Sequence, residues 1–371
     1  MLVVGLIALP TAADASKCPA FEDRGERVAD LQAEAITESS GLAASRTMPG
    51  LFWTHNDSGG QARLFLFDKD GKDRGTLNLS GFKPKDWEDM AIGACPRSPD
   101  IEDNEPTPCI YVADIGDNDA ERDTVSIQRF REPSLRTDQG SPAKHTVQEP
   151  TSFRFRYEDG PRDAETLLAH PKTGHLYVVS KDRDEGISDI YRVPNPTVGL
   201  GNDDVLEAER IGQLDYSDAS FFGKLATAGD IAPSGDHISI RTYSRVYTYC
   251  VTGDDFESVF QASPSMATPL PTAQGESIAY GVDGNHLWLT SERRPTPLIR
   301  LRKKQGAPEK TNGAKRAPEP ESPSTSTVPH SKGSTGPLDR GCHHPDQTPR
   351  QSLIIAALLA LAGWIARRLL T

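Results

Sequence analysis

The 371 residues contain no G-x-S-x-G elbow, no H-E-x-x-H, no phosphate-binding G-x-x-x-x-G-K-[ST] and no Cys-x-x-Cys pair. The familiar serine-hydrolase, zinc-protease, P-loop and dithiol chemistries therefore have no local signature here. Basic residues are also short: 41 Lys and Arg face 53 Asp and Glu, for a formal charge of -12. A phosphate backbone needs a basic surface, so nucleic acid is excluded as the main partner, and metal ions or cationic or polar small molecules fit better. In the body of the chain no apolar stripe at helical spacing persists for more than about three turns. Instead, short runs of Val, Ile, Leu, Tyr and Phe are bounded by Gly, Pro, Asn and Asp, which predicts an all-β fold.

Five segments resemble one another: Glu38-Ser-Ser-Gly-Leu-Ala, Trp87-Glu-Asp-Met-Ala, Asp163-Ala-Glu-Thr-Leu-Leu-Ala, Gly229-Asp-Ile-Ala and Gly275-Glu-Ser-Ile-Ala. Each opens a unit of several strands, and a spacing of roughly 45 to 75 residues is the mark of a β-propeller or another repeat array. Reading each unit as four strands, A to D, predicts a single β-propeller of five blades; six follow if a longer unit hides a divergent blade. In the fourth unit the D strand is expected at Phe256-Glu-Ser-Val-Phe. The fifth unit lacks a D strand, while Arg27-Val-Ala-Asp-Leu-Gln-Ala-Glu upstream has no unit of its own. Lending that N-terminal strand to the last blade would close the ring and leave no open edge.

Antiparallel strands alternate direction, so the starts of A strands and the ends of B strands share one face. The acidic residues Glu38, Glu88, Glu165, Asp230 and Glu276 should then ring the axis, where like charges ask for a cation. An all-oxygen set suits calcium better than zinc. Taken singly, each acid has a second reading, as a cap accepting backbone N-H bonds. Polar B-strand ends join them as candidate ligand-binding residues: His55, Asn56 and Asp57; Asp114, Asp117 and Asn118; Lys181; Arg241; Glu292 and Arg293. Asp114-Ile-Gly-Asp-Asn reads equally as a Gly turn held by Asx bonds. His55 is a candidate general base or a plain hydrogen-bonding residue. Lys181, Arg241 and Arg293 either clamp an anionic group or neutralise the acids. Trp53, Trp87 and Trp288 lie in or beside strands and are expected in the core.

Five cysteines are an odd set. Setting aside Cys342, Cys95 and Cys109 flank one loop, and Cys18 and Cys250 must meet over distance. Strand parity puts both pairs on the face opposite the acids, which predicts two disulfides. Residues 1–15 carry an apolar run and an Ala13-Asp-Ala15 cleavage pattern, though no Lys or Arg precedes them; they read as an export signal or as a buried first strand. The folded body is expected over 16–305. A Pro/Ser/Thr-rich linker over 306–340 is expected to be disordered. The segment 341–371 has Gly341-Cys342, a polar spacer, an apolar run expected as a helix from Leu353 to Ala366, and Arg367-Arg368. That run is shorter than the roughly 20 residues of a comfortable membrane span.

Residue for residue this tail resembles the MYXO-CTERM family of bacterial sorting signals. The resemblance implies processing near Cys342 by sorting machinery and attachment to the cell surface; a plain membrane anchor is the other reading, and both put the body outside the cytoplasm. Within the body, E-S-S-G-L-A, T-H-N-D-S-G-G, D-W-E-D-M-A and A-D-I-G-D-N resemble secreted bacterial propellers related to the calcium-dependent superfamily of β-propeller phytases, gluconolactonase-like hydrolases and NHL-repeat proteins. It implies a central calcium held by acidic side chains. Two functions follow as expectations: a surface-anchored module binding a small molecule or a surface partner, or a calcium-dependent hydrolase of phosphoesters or lactones with His55 or an acid as base.

Overall fold

The computed structural model describes residues 18–305 apart from 58–59, 98–105, 138–140, 198–199 and 202. The expected export signal, the linker and the sorting segment with Gly341 and Cys342 lie outside the described residues. The chain begins with β1 (Glu26–Asp30), then β2 (Ser39–Ala44), β3 (Leu51–Asn56), β4 (Arg63–Asp68) and β5 (Asp73–Leu79). Next come β6 (Trp87–Ala94), β7 (Pro108–Asp114), β8 (Val125–Arg131), β9 (Ala143–Val147) and β10 (Thr151–Tyr157). They are followed by β11 (Ala164–Ala169), β12 (Leu176–Ser180), β13 (Ile187–Val193) and β14 (Val205–Asp215), and by a one-turn helix α1 (Phe221–Lys224). The last strands are β15 (Ala226–Ile231), β16 (His237–Thr242), β17 (Val246–Cys250), β18 (Ser265–Ala267), β19 (Ser277–Tyr280), β20 (His286–Thr290) and β21 (Pro297–Arg302).

Consecutive strands pair antiparallel within each unit, and the innermost strands pack in turn, β2 on β6, β6 on β11, β11 on β15, β15 on β19 and β19 back on β2. The result is a propeller-like ring. The apolar runs explain why: side chains alternate along a strand, and here both faces are buried against neighbouring sheets. On β4, Leu64 and Leu66 pack with Met90 and Ile110 of the next sheet, while Phe65 and Phe67 pack with Trp288 and Leu298 of the last. On β12, Leu176 and Val178 face one neighbour, and Tyr177 and Val179 the other. The innermost strands are rich in Ala, Ser and Gly because space narrows toward the axis. A Cβ on Gly229 would come within 2.8 Å of Leu168 and Thr166 on the adjoining strand.

The N-terminal β1 pairs antiparallel with β21, Glu26 opposite Arg300, so the last sheet is completed from the start of the chain. Cys18–Cys250 and Cys95–Cys109 are disulfide-bonded. Two parallel pairings lie at the periphery: β9 adds to β5, and β10 joins β14, merging two units into one sheet of eight strands. Phe256–Gln261, read as a strand in the sequence, is a 3-10 helix whose first turn is capped by the Asp255 carboxylate accepting from Glu257 N-H. Its Val259 and Phe260 still fill the core, and β18 takes the outer-strand position. The fourth innermost strand starts at Ala226, four residues before Asp230. Among the described residues no helix is long and apolar enough to cross a membrane.

Candidate functional site

Three of the repeated acids converge at one mouth of the ring. Glu88 and Glu165 sit at irregularities in β6 and β11, where the register slips between Trp87 and Asp89 and between Ala164 and Thr166. A bulge re-aims a side chain that would otherwise point into a sheet interface. Glu276 immediately precedes β19, and Glu292 and Asp57 follow the ends of β20 and β3. The charges interact: Glu165, Asp57 and Asp86 act on Glu88, and Glu276 and Asp57 act on Glu292. Burial first, then the neighbouring carboxylates, pushes Glu88 well above the usual carboxylate range. Glu292 is pushed up to about 12 by burial and by Glu276, with which it shares a hydrogen bond.

The positive charge of Lys181 lies among them. Its ammonium contacts the Glu165 carboxylate and donates to Tyr243 Oη at 2.9 Å, with the Tyr243 ring centroid 4.9 Å away. Burial alone would lower Lys181, but the charges of Glu165, Tyr243, Glu276 and Asp163 together more than reverse this and hold it well above the ordinary lysine range. Burial lifts Glu165 to about 8 despite the lysine.

On the side of the mouth next to β3 and β6, single carboxylate oxygens of Asp57, Asp86 and Glu88 lie within 4.8 Å of one another. The loop after β7 builds this corner. Asp114 accepts from Lys85 N-H at 2.8 Å, Asp86 N-H at 3.1 Å and Arg122 at 2.7 Å, fixing the segment that carries Asp86. Gly116 faces the carboxylates: a Cβ there would stand 2.1 Å from Glu88 Oε1 and 2.5 Å from Asp86 Oδ2. Only glycine lets the two carboxylates approach the backbone so closely. Three oxygen donors within 4.8 Å of one another suit a hard divalent cation such as calcium, with water completing its shell.

Other expected site residues are placed elsewhere. Glu38 is exposed on the approach to β2, where its carbonyl accepts from Asp57 N-H at 2.9 Å. Asp230 is buried near the end of β15 and accepts from Tyr280 N-H at 2.7 Å and Ile231 N-H at 2.8 Å. Burial raises it to about 6, and its role is the capping one. Arg241 is fully buried and donates to the carbonyls of Ser277 at 2.6 Å and Thr290 at 2.7 Å, tying β16 to the last sheet instead of clamping a ligand. Burial, opposed by Glu276, lowers its guanidinium to about 9. His55 is likewise wholly buried, edge-on to Trp87, and burial lowers it to about 4; it lines the wall and is not placed as a solvent-facing base.

Asn56 clips the strand entry, its side chain accepting from Thr37 N-H and donating to the Ala35 carbonyl. Asp117 caps its own turn through Glu121 and Arg122 N-H, and the Asn118 amide oxygen is held by Arg183, which also pairs with Asp163 at 3.0 Å. Arg293 is exposed and donates to Gln274. Sequence reasoning missed Asp86, although it stands two residues before Glu88 in a run of acids. It also missed Asp89, which is fully buried and accepts from Met90, Leu167 and Gly229 N-H, joining three innermost strands.

No family model and no curated protein matches the chain. Among solved structures it is similar to the β-propeller domain of Cps50 (Swd1) of Myceliophteria thermophila, at 12% identity and a TM-score of 0.38, over 76% of this chain and 99% of that one. It is also similar to Chaetomium thermophilum Raptor, at 7% identity and a TM-score of 0.38, over 78% of this chain and 30% of that one.

Proposed function

We propose that this chain is a five-bladed propeller that works as a binding module, with a divalent cation, calcium by its oxygen donors, held at the mouth by Asp57, Asp86 and Glu88. The observation that carries the reading is the convergence of one carboxylate oxygen each from Asp57, Asp86 and Glu88 to within 4.8 Å of one another. Gathering like charges costs stability unless a counter-charge is supplied, and such an arrangement is kept where it serves a site. The count of five blades rests on five apolar cores between successive sheets among the described residues. When bound, the cation supplies a positive centre that polarises or orients an oxygen of the ligand. Gly116 lets Glu88 and Asp86 come close to the backbone, Asp114 positions the Asp86 loop, and Lys181 holds Glu165 in place.

Kinship with the calcium-dependent phytase, gluconolactonase and NHL-like propellers belongs to this proposal. So do export through residues 1–15 and surface attachment through the tail at Gly341-Cys342. The two disulfides support export, since such bonds persist in oxidising compartments. Hydrolysis ranks second, because the buried His55 does not face the mouth as a base.

Calorimetric titration of the full chain with calcium after EDTA treatment tests the reading. Stoichiometric binding with a raised Tm is expected, and Gly116→Ala, whose Cβ would displace the Glu88 and Asp86 carboxylates, should weaken binding at least about tenfold. Absence of both heat and Tm shift in the wild type sinks the cation site.

A further inference from the structure

The rim beside β15 carries an apolar surface that the cation site does not use. Phe221 and Phe222 are 51% and 44% exposed, and Met266 nearby is 47% exposed. They form one patch: the two Phe rings meet edge-on at 5.5 Å, and Arg245, packed beside Gly223, donates to Met266 Sδ at 2.7 Å. The patch is fixed in place. Ser244 N-H donates to the Phe222 carbonyl, Tyr247 Oη-H to the Gly223 carbonyl, and Lys224 Nζ to the Asp184 carbonyl. A pinned, exposed aromatic pair on a single helical turn marks a contact surface.

It is continuous with the mouth. The Phe222 ring lies 6.2 Å from the Tyr243 ring, edge-on, and Tyr243 accepts from Lys181 beside Glu165. Glu276 acts electrostatically on both Tyr243 and Lys181, and on Glu292. Passing from rim to axis, the surface therefore changes from aromatic to acidic within the reach of a few residues. Lys224 and Arg245 border the aromatic side, so a partner's positive charge is directed toward the axis and away from the rim.

We infer that this surface docks a protein segment in which a basic side chain is flanked by apolar residues, the basic group entering the mouth toward Glu276 and the apolar neighbours covering Phe221 and Phe222. Charge complementarity selects this occupant. An acidic or uncharged segment would bring no counter-charge to Glu276, while a long basic side chain extends its charge to that acid and lays its stem beside Tyr243. The inference deepens the binding-module reading and rests on it, but it uses the side of the mouth formed by Tyr243 and Glu276.

The test uses three fluorescein-labelled peptides with Phe-Lys-Leu, Phe-Gln-Leu or Ser-Lys-Ser at the centre of a Gly/Ser frame, titrated with the full chain by anisotropy, once in EDTA and once in calcium. The Phe-Lys-Leu peptide is expected to bind under both conditions, each of the other two at least about tenfold more weakly. Phe222→Ala, at an exposed position, is expected to cost at least about tenfold in peptide affinity while leaving the calcium titration unchanged. Equal or absent binding of the three peptides overturns the inference, as does a Phe222→Ala variant that binds like wild type. Two controls name the competing occupants: sedimentation with anionic phosphatidylserine vesicles, and sedimentation velocity of the chain alone. Loss of vesicle binding or of self-association in Phe222→Ala, with no peptide discrimination, would assign the patch to a membrane or a second copy and reject a protein segment. A cation site that fails while peptide discrimination persists would reject only the calcium reading.

Discussion

Glu88→Gln is expected to stabilise the metal-free protein, and to do so more strongly as pH rises. Glu88 is only 6% exposed, and burial, followed by the charges of Glu165, Asp57 and Asp86, raises its pKa well above the ordinary value, against a smaller lowering by Lys181. The folded chain therefore holds a proton that the unfolded chain, with a carboxyl near 4.3, releases. Stability from this group is complete below about pH 4.3 and is lost as pH climbs toward the folded value, by about 1.4 kcal/mol per unit. A two-unit rise inside that window costs about 3 kcal/mol, which is large against a typical net stability of about 5–15 kcal/mol. Glutamine has the same shape without the titration, so the gap between variant and wild type should widen with that slope. Burial also lowers His55, His170 and His237, and their opposite pH dependence is common to both proteins and cancels. Urea denaturation in EDTA from about pH 5 to about pH 8 measures the gap. Calcium should close it by stabilising wild type more than the variant. A gap independent of pH, or a variant less stable throughout, would refute the reasoning and assign Glu88 a structural role in accepting hydrogen bonds.

Asp89→Ala removes the acceptor of three backbone N-H groups on β6, β11 and β15, leaving Leu167 and Gly229 N-H buried without it. At about 1–3 kcal/mol per orphaned group it should cost about 3–5 kcal/mol in urea denaturation, with calcium affinity little changed. Replacing Cys18 and Cys250 by serine, which opens a 232-residue separation, should cost about 2 kcal/mol more than the same change at Cys95 and Cys109, separated by 14, because the longer loop restricts the unfolded chain more. Equal losses for the two pairs would contradict this ordering.

Most strands were legible from the sequence because burial on both faces makes them nearly continuous apolar runs, as in Leu64-Phe-Leu-Phe and Leu176-Tyr-Val-Val. Closure by the N-terminal strand was legible by subtraction: one unit lacked a strand and one strand lacked a unit. The two disulfides followed from the loop that Cys95 and Cys109 flank and from the pair left once Cys342 is set aside, with strand direction putting both pairs at one end of the sheets. The 3-10 helix at Phe256–Gln261 was not legible, since its alternating apolar residues satisfy a strand pattern and only the Asp255 cap distinguishes it.

The site divides differently. The repeats showed acids at the entrances of the inner strands and put all five, Glu38, Glu88, Glu165, Asp230 and Glu276, around the axis; Glu88, Glu165 and Glu276 meet at one mouth with Lys181 among them. Which acids face that mouth depends on the folded chain, because a shift of one or two residues along a strand moves a side chain to another face or depth. Bulges aim Glu88 and Glu165 inward, Asp230 falls four residues along its strand from Ala226, and Glu38 stops short of the ring. Asp86 enters because Asp114 pulls its loop across. His55 and Arg241 are withdrawn because neighbouring sheets close over them. Such placements depend on contacts between residues far apart in the chain, and a repeat in the sequence records only that each unit has an entrance.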